Sequence, residues 1–193
     1  MSSRLVRAGA RHPHRSAAVL LAGLAAVAAL AVASMAIAKS FTLRVASDVH
    51  VTNAATAKFA VKPVNTHESV AVGPSGYAVY TFQGETTHHL ICKESTGCWA
   101  AWPPVSPSSA SVSEQSGISG KLGTFTNHGM RQLTLNGQPL YYFTPDIMSG
   151  NKHQAQGDEL KTFGSIWHIV KADPAAASAP MSTTPTTPSS TWG

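Results

Sequence analysis

The sequence has 193 residues, enough for one domain with appendages, and only 12 % of them are charged. A formal net charge of +5 invites a nucleic-acid reading, but Arg4, Arg7, Arg11 and Arg15 crowd the N-terminus. The remainder carries ten Lys and Arg against nine Asp and Glu, without the clustered basic face that phosphate backbones require, which sets nucleic acid aside as a partner.

In chain order, the arginines precede an uncharged run from Ala17 to Ala38, rich in Ala, Leu and Val, that ends in Ala36-Ile37-Ala38 before Lys39. Residues 1–38 therefore read as a signal peptide or, because the run is long enough to span a bilayer, as a retained N-terminal membrane anchor. Either form is expected to be helical and leaves everything after Lys39 outside the cytoplasm. No Cys closes the run, so nothing supports a lipid-modified N-terminus. Residues 39–69 alternate weakly and read as a spacer with room for a strand. Residues 172–193 are Ala, Ser, Thr and Pro without periodicity, a composition that buries too little apolar surface to offset the entropy of ordering it. A disordered tail is expected there, inert or O-glycosylated.

Between them, residues 70–171 carry short runs rich in β-branched and aromatic residues and bounded by turn formers. Strands are expected at Tyr77–Phe82, Leu122–Thr126, Arg131–Leu135, Gln138–Phe143 and Ile166–Val170. Asn136-Gly137 accepts the positive φ angles of a two-residue hairpin turn, and Asn127-His128-Gly129 is a looser one. These turns make a meander. No amphipathic helix is evident after residue 40, so the fold class is all-β.

A self-similarity sharpens this. Val79-Tyr80-Thr81-Phe82-Gln83-Gly84-Glu85 aligns with Leu140-Tyr141-Tyr142-Phe143-Thr144-Pro145-Asp146, and Trp102 and Trp167 follow the respective copies. Two related β-meander repeats sharing one core are expected, with each Tyr-x-Phe pair on one face of its strand.

These strings resemble a family of bacterial exported proteins described as a secreted repeat of unknown function. Its members are often predicted lipoproteins with a Y-x-(F/W/Y)-x-x-D motif. The resemblance runs over about residues 70–171 through Gly76 to Phe82, Cys92, Cys98 to Pro104, Leu135 to Phe143, Asp146 and Trp167. It implies an exported domain and no particular activity. The chain departs from the pattern in lacking the lipoprotein cysteine and in carrying Glu85 where the motif has Asp.

Four constellations could carry chemistry. Cys92 and Cys98, the two cysteines, are expected to form a structural disulfide, since an exported chain with an even cysteine count usually pairs them. His88 and His89 with the same cysteines form the sharpest metal candidate, but adjacent histidines on a strand point apart and a disulfide would remove both thiolates. Solvated loop histidines, no metal site and no cofactor are the expectation. Glu85 and Asp146 could act as a carboxylate pair on a glycan, or could fix the turns that follow their strands. Tyr80, Tyr141, Tyr142, Trp99, Trp102 and Trp167 could form a sugar-stacking face, but aromatics at strand spacing, Phe82 and Phe143 among them, read as core, with Trp99 as the exposed one.

No catalytic motif is present. The expectation is a non-enzymatic binding or structural module of the cell envelope or exterior that contacts a cell-surface component or another exported protein, and the membrane too if its leader is uncleaved. The alternative is a metal or redox accessory using His88, His89, Cys92 and Cys98. A glycan-acting enzyme using Glu85 and Asp146 stands third.

Overall fold

The computed structural model describes residues 40–177; the expected N-terminal helix and all of the expected tail beyond Ala177 lie outside the described residues. Strands there are β1 (Arg44–Thr52), β2 (Asn65–Val72), β3 (Tyr80–Phe82), β4 (Leu122–Asn127), β5 (Met130–Leu135), β6 (Gln138–Pro139), β7 (Gln154–Ala155), β8 (Leu160–Thr162) and β9 (Ser165–Ile169). The helices are single turns, α1 (Cys98–Ala101), α2 (Thr144–Ser149) and α3 (Pro174–Ala177), with 3-10 segments at Ala54–Phe59 and Glu94–Thr96. No helix among the described residues is long and apolar enough to cross a membrane. The fold is all-β, in three small sheets ordered β2-β1-β7, β3-β9-β8 and β4-β5-β6.

The meander forms as its turns dictate. Asn136 and Gly137 take φ +52° and +77° between β5 and β6. His128 and Gly129 take φ +48° and +78° between Asn127 and Met130, so this second turn is as tight as the first. The expected strand Gln138–Phe143 is shorter than the pattern implies. After Pro139 its backbone changes partner at each residue: the N–H of Leu140 goes to Leu133, that of Tyr141 to Tyr80 and that of Tyr142 to Pro103. Thr144-Pro145 then opens α2, since proline at a first helical turn needs no N–H partner.

Two expectations need correction. Residues 39–69 are more than a spacer. They supply β1 and most of β2, paired from Arg44↔Val72 to Thr52↔Asn65 with a bulge between Ala46 and Val49. The polar residues between their valines face solvent while Val49, Val51 and Val70 are buried, which is why the pattern looked weak over any short window. The chain also stays ordered past residue 172. Ala172 donates its N–H to Ser69, Asp173 donates to Gly117, and α3 follows.

Among the described residues a single meander forms, instead of two similar ones. Tyr80 lies in the β3-β9-β8 sheet and exchanges both backbone hydrogen bonds with Tyr141, at 2.9 and 3.0 Å. The two copies of the motif therefore meet at a seam, each completing the other's backbone bonding.

Strand alternation splits the interior into two clusters. Leu140 and Tyr142 join an aliphatic one with Leu43, Val79, Leu122 and Leu133. Tyr141 and Phe143 join Tyr80, Phe82, Trp102 and Trp167 in an aromatic one. The aromatic cluster leaves no slack at Gly157, where an added Cβ would stand 2.8 Å from Trp102 and 3.0 Å from Tyr80. Gly157→Ala should therefore cost about 1–3 kcal/mol, the range for overpacking a rigid core, measured as a lowered denaturant midpoint with unchanged slope.

Candidate functional site

The eight motif residues do come together, in the interior. Trp102 and Trp167 stack face to face with centroids 3.8 Å apart and planes 5° from parallel. Each tryptophan then reaches across to the other copy. Trp167 stacks on Phe82 at 4.1 Å, and Trp102 stacks on Phe143 at 4.2 Å. Both indole N–H groups donate to one acceptor, Thr162 Oγ1, at 3.2 Å from Trp102 and 2.9 Å from Trp167.

The tyrosines and acids are also exchanged. Tyr80 donates its hydroxyl to Asp146 Oδ2 at 2.6 Å, while Asp146 Oδ1 accepts the N–H of Gln156 at 2.8 Å. Glu85 Oε1 accepts the N–H groups of Ile91 and Cys92 at 2.7 and 2.8 Å. Its other oxygen and the Tyr141 hydroxyl interact electrostatically, yet both are buried without a partner at hydrogen-bonding geometry. Burial raises the carboxyl of Glu85 and lifts that of Asp146 to about 6, against the opposing pull of their hydrogen-bond donors. Both acids are 0 % exposed. Each fastens the loop that follows it.

Asp146 makes stability depend on pH. Unfolded, it titrates near its ordinary value of about 4. Folded, it titrates at about 6, so between these values the native state holds the extra proton and stability falls as pH rises. The shift corresponds to about 3 kcal/mol lost between roughly pH 4 and pH 7. Asp146→Asn should remove that component. Its stability relative to wild type should improve over the same interval, followed by urea unfolding at several pH values.

Cys92 and Cys98 form a buried disulfide across the 3-10 segment Glu94–Thr96, with Gly97 at φ +73° turning the chain into α1. Trp99 covers this loop. It is half-buried rather than exposed, donating its indole N–H to Cys92 O at 3.3 Å and meeting the His128 ring edge-on. The sulfurs are bonded to each other, which leaves no thiolate for the metal alternative in this form, while His88 and His89 lie exposed in the preceding loop. Reducing the disulfide should lower stability by about 2 kcal/mol, the loop-closure entropy of so short a ring, seen by unfolding with and without reductant.

Elsewhere, Asp158, Glu159 and His168 bring potential metal-ligating atoms within 4.8 Å of one another. Glu159 already pairs with Lys62 at 3.2 Å and His168 at 3.4 Å, beside a Lys171–Glu68 pair at 2.7 Å. Glu159 and His168 thus belong to an ion-pair network, while Asp158 is buried and accepts the N–H of Ile169 at 2.9 Å.

Another feature, with the most aromatic lining, is one that the sequence did not reveal. An apolar groove of about 510 Å³ runs over the aromatic cluster, floored by Trp102, Phe143 and Leu160 and rimmed by Phe59, Lys161 and Phe163. Phe59 is 44 % and Phe163 39 % exposed, unusual for rings that could turn inward. Phe59 is held by the bridge Ala60↔Leu160 and by Thr56 Oγ1 donating to Gln156 O at 3.2 Å. Phe163 sits at φ +55° before Gly164 at φ +96° in the tight turn joining β8 and β9. Asn, Asp or Gly is favoured at that position, and a bulky ring there is an outlier. Phe163-Gly164 was the one signal available in the sequence.

Residues 125–171 match the family model of a secreted repeat of unknown function. The matched segment carries the second copy of the motif, from Leu140 to Asp146, together with Trp167, Phe163 and Lys161. Among curated proteins and among solved structures there is no significant match.

Proposed function

We propose that this protein is an exported, non-enzymatic binding module that holds an apolar group of its partner in the groove between Phe59 and Phe163. The observation that carries this reading is the pair of exposed rings, brought from separate segments to one rim above an apolar floor. Surface aromatics placed together are more often contact residues than accidents. The glycan-enzyme reading is less favoured, because Glu85 and Asp146 are sealed from solvent and occupied with backbone N–H groups. Export rests on the basic apolar leader and on the secreted description of the matched family. The partner is a cell-surface component or another exported protein, and the leader, if retained, adds a membrane anchor. The two Tyr-x-Phe-x-x-acid stretches are related copies, a reading supported by their exchanged contacts.

Phe59→Ser and Phe163→Ser should leave the unfolding midpoint nearly unchanged, since both rings are substantially exposed in the native state. Each should weaken binding of a naphthalene-type probe by about tenfold, roughly the loss expected for a ring contact, read by quenching of tryptophan fluorescence. Unaltered probe binding by both variants would refute the groove as the binding site.

A further inference from the structure

We propose that the groove takes a planar conjugated anion, its rings against Phe59 and Phe163 and its acid group at Lys161. This rests on the groove being the binding site and names the class of ligand it selects. The volume of about 510 Å³ lies within the range of small-molecule sites, roughly 300–1,000 Å³. Four of its ten lining residues, Phe59, Trp102, Phe143 and Phe163, present aromatic rings, whose faces and edges favour another ring over a saturated chain.

The polar groups decide the charge. Lys161 is the one charged residue in the lining, which contains no acid. Lys58, outside the lining, holds its ammonium 4.8 Å from the centre of the Phe59 ring. Neither lysine has an ion pair among the described residues, whereas Lys62 and Lys171 are both paired on the neighbouring face. Thr162 points the same way. Its hydroxyl oxygen accepts both indole N–H groups, so its remaining capacity is as a donor. Thr56 is engaged, donating toward Asn53 O and Gln156 O. The groove therefore offers apolar rings and hydrogen-bond donors. A cation finds ring faces there but no acid to pair with, and a sugar finds donors where it also needs acceptors. An aromatic carboxylate, sulfonate or phenolate satisfies both surfaces at once.

The test titrates the purified full chain at neutral pH with 2-naphthoate, with the isosteric but uncharged 2-naphthamide, and with decanoate, by calorimetry and tryptophan fluorescence. Naphthoate should bind about tenfold tighter than either analogue, as a charge-assisted hydrogen bond implies, and more weakly as salt rises. Lys161→Gln should erase the preference for naphthoate over naphthamide while leaving naphthamide binding unchanged, and Phe163→Ser should weaken both. Equal binding of naphthoate and naphthamide by the wild type would overturn the anion proposal and leave the groove standing. Decanoate matching naphthoate would overturn the planar requirement. Naphthoate binding that Phe163→Ser leaves intact, or no binding of any of the three, would overturn the groove itself. Competition between naphthoate and self-association, seen as binding that weakens with protein concentration, would assign the groove to a second copy and overturn the proposal.

Discussion

The Trp102–Trp167 stack is the contact from which the rest of the aromatic core is ordered. Two indoles lying 5° from parallel at 3.8 Å leave each outer face free, and those faces are taken by Phe82 and Phe143 from opposite copies. Four rings in a column exclude water from the seam between the sheets. Burying each removes roughly 150–250 Å² from water, on the order of 4–6 kcal/mol per ring before chain entropy is counted. A column of this kind tolerates little displacement, which is why Gly157, with no side chain, lies against its edge.

The dry seam explains the behaviour of the acids. A carboxylate moved into a low-dielectric interior loses its hydration, so it must gather donors or take up a proton. Asp146 does some of each: a phenol and a backbone N–H hold its oxygens, and its carboxyl is nevertheless raised to about 6. Glu85 gathers two backbone N–H groups on one oxygen and leaves the other facing the Tyr141 hydroxyl without a hydrogen bond. The two sites differ in this detail although the residues correspond. The longer glutamate fastens a loop that the disulfide closes six residues later; the aspartate fastens the loop that delivers Gly157 to the tryptophans. Groups that look chemical in the sequence are thus consumed in holding loops.

In the proposed binding mode, the surface that meets a partner is the outer edge of the same column. Phe143 and Trp102 show only 6 % and 1 % of their surfaces, but they form the floor on which Phe59 and Phe163 stand. Under that proposal, stability and recognition share these rings. A binding surface backed by a stacked core is rigid, and a rigid apolar slot discriminates by shape before it discriminates by charge.

The all-β class was legible because it depends on local rules: alternation marks strands, Asn-Gly and His-Gly accept positive φ angles, and two cysteines in an exported chain pair. The motif residues were legible as core for the same reason, their spacing placing Tyr and Phe on one strand face. The segment 39–69 was not, since its apolar positions are separated by polar ones and gain meaning only when β1 and β2 pair over the whole length from Arg44↔Val72 to Thr52↔Asn65. Nor was the exchange between copies, because a self-similarity shows that two units are alike and is silent on whether each bonds to itself or to the other. The groove is the clearest case. Phe59 and Phe163 are 104 positions apart in the chain, and long-range contacts such as the bridge from Ala60 to Leu160 set them on one rim. By itself the sequence determined which residues are apolar and where the meander turns fall, and its basic apolar leader points to export. Tertiary structure alone decided which aromatic rings are spent in the core and which stay exposed, because burial depends on contacts between residues far apart in the chain.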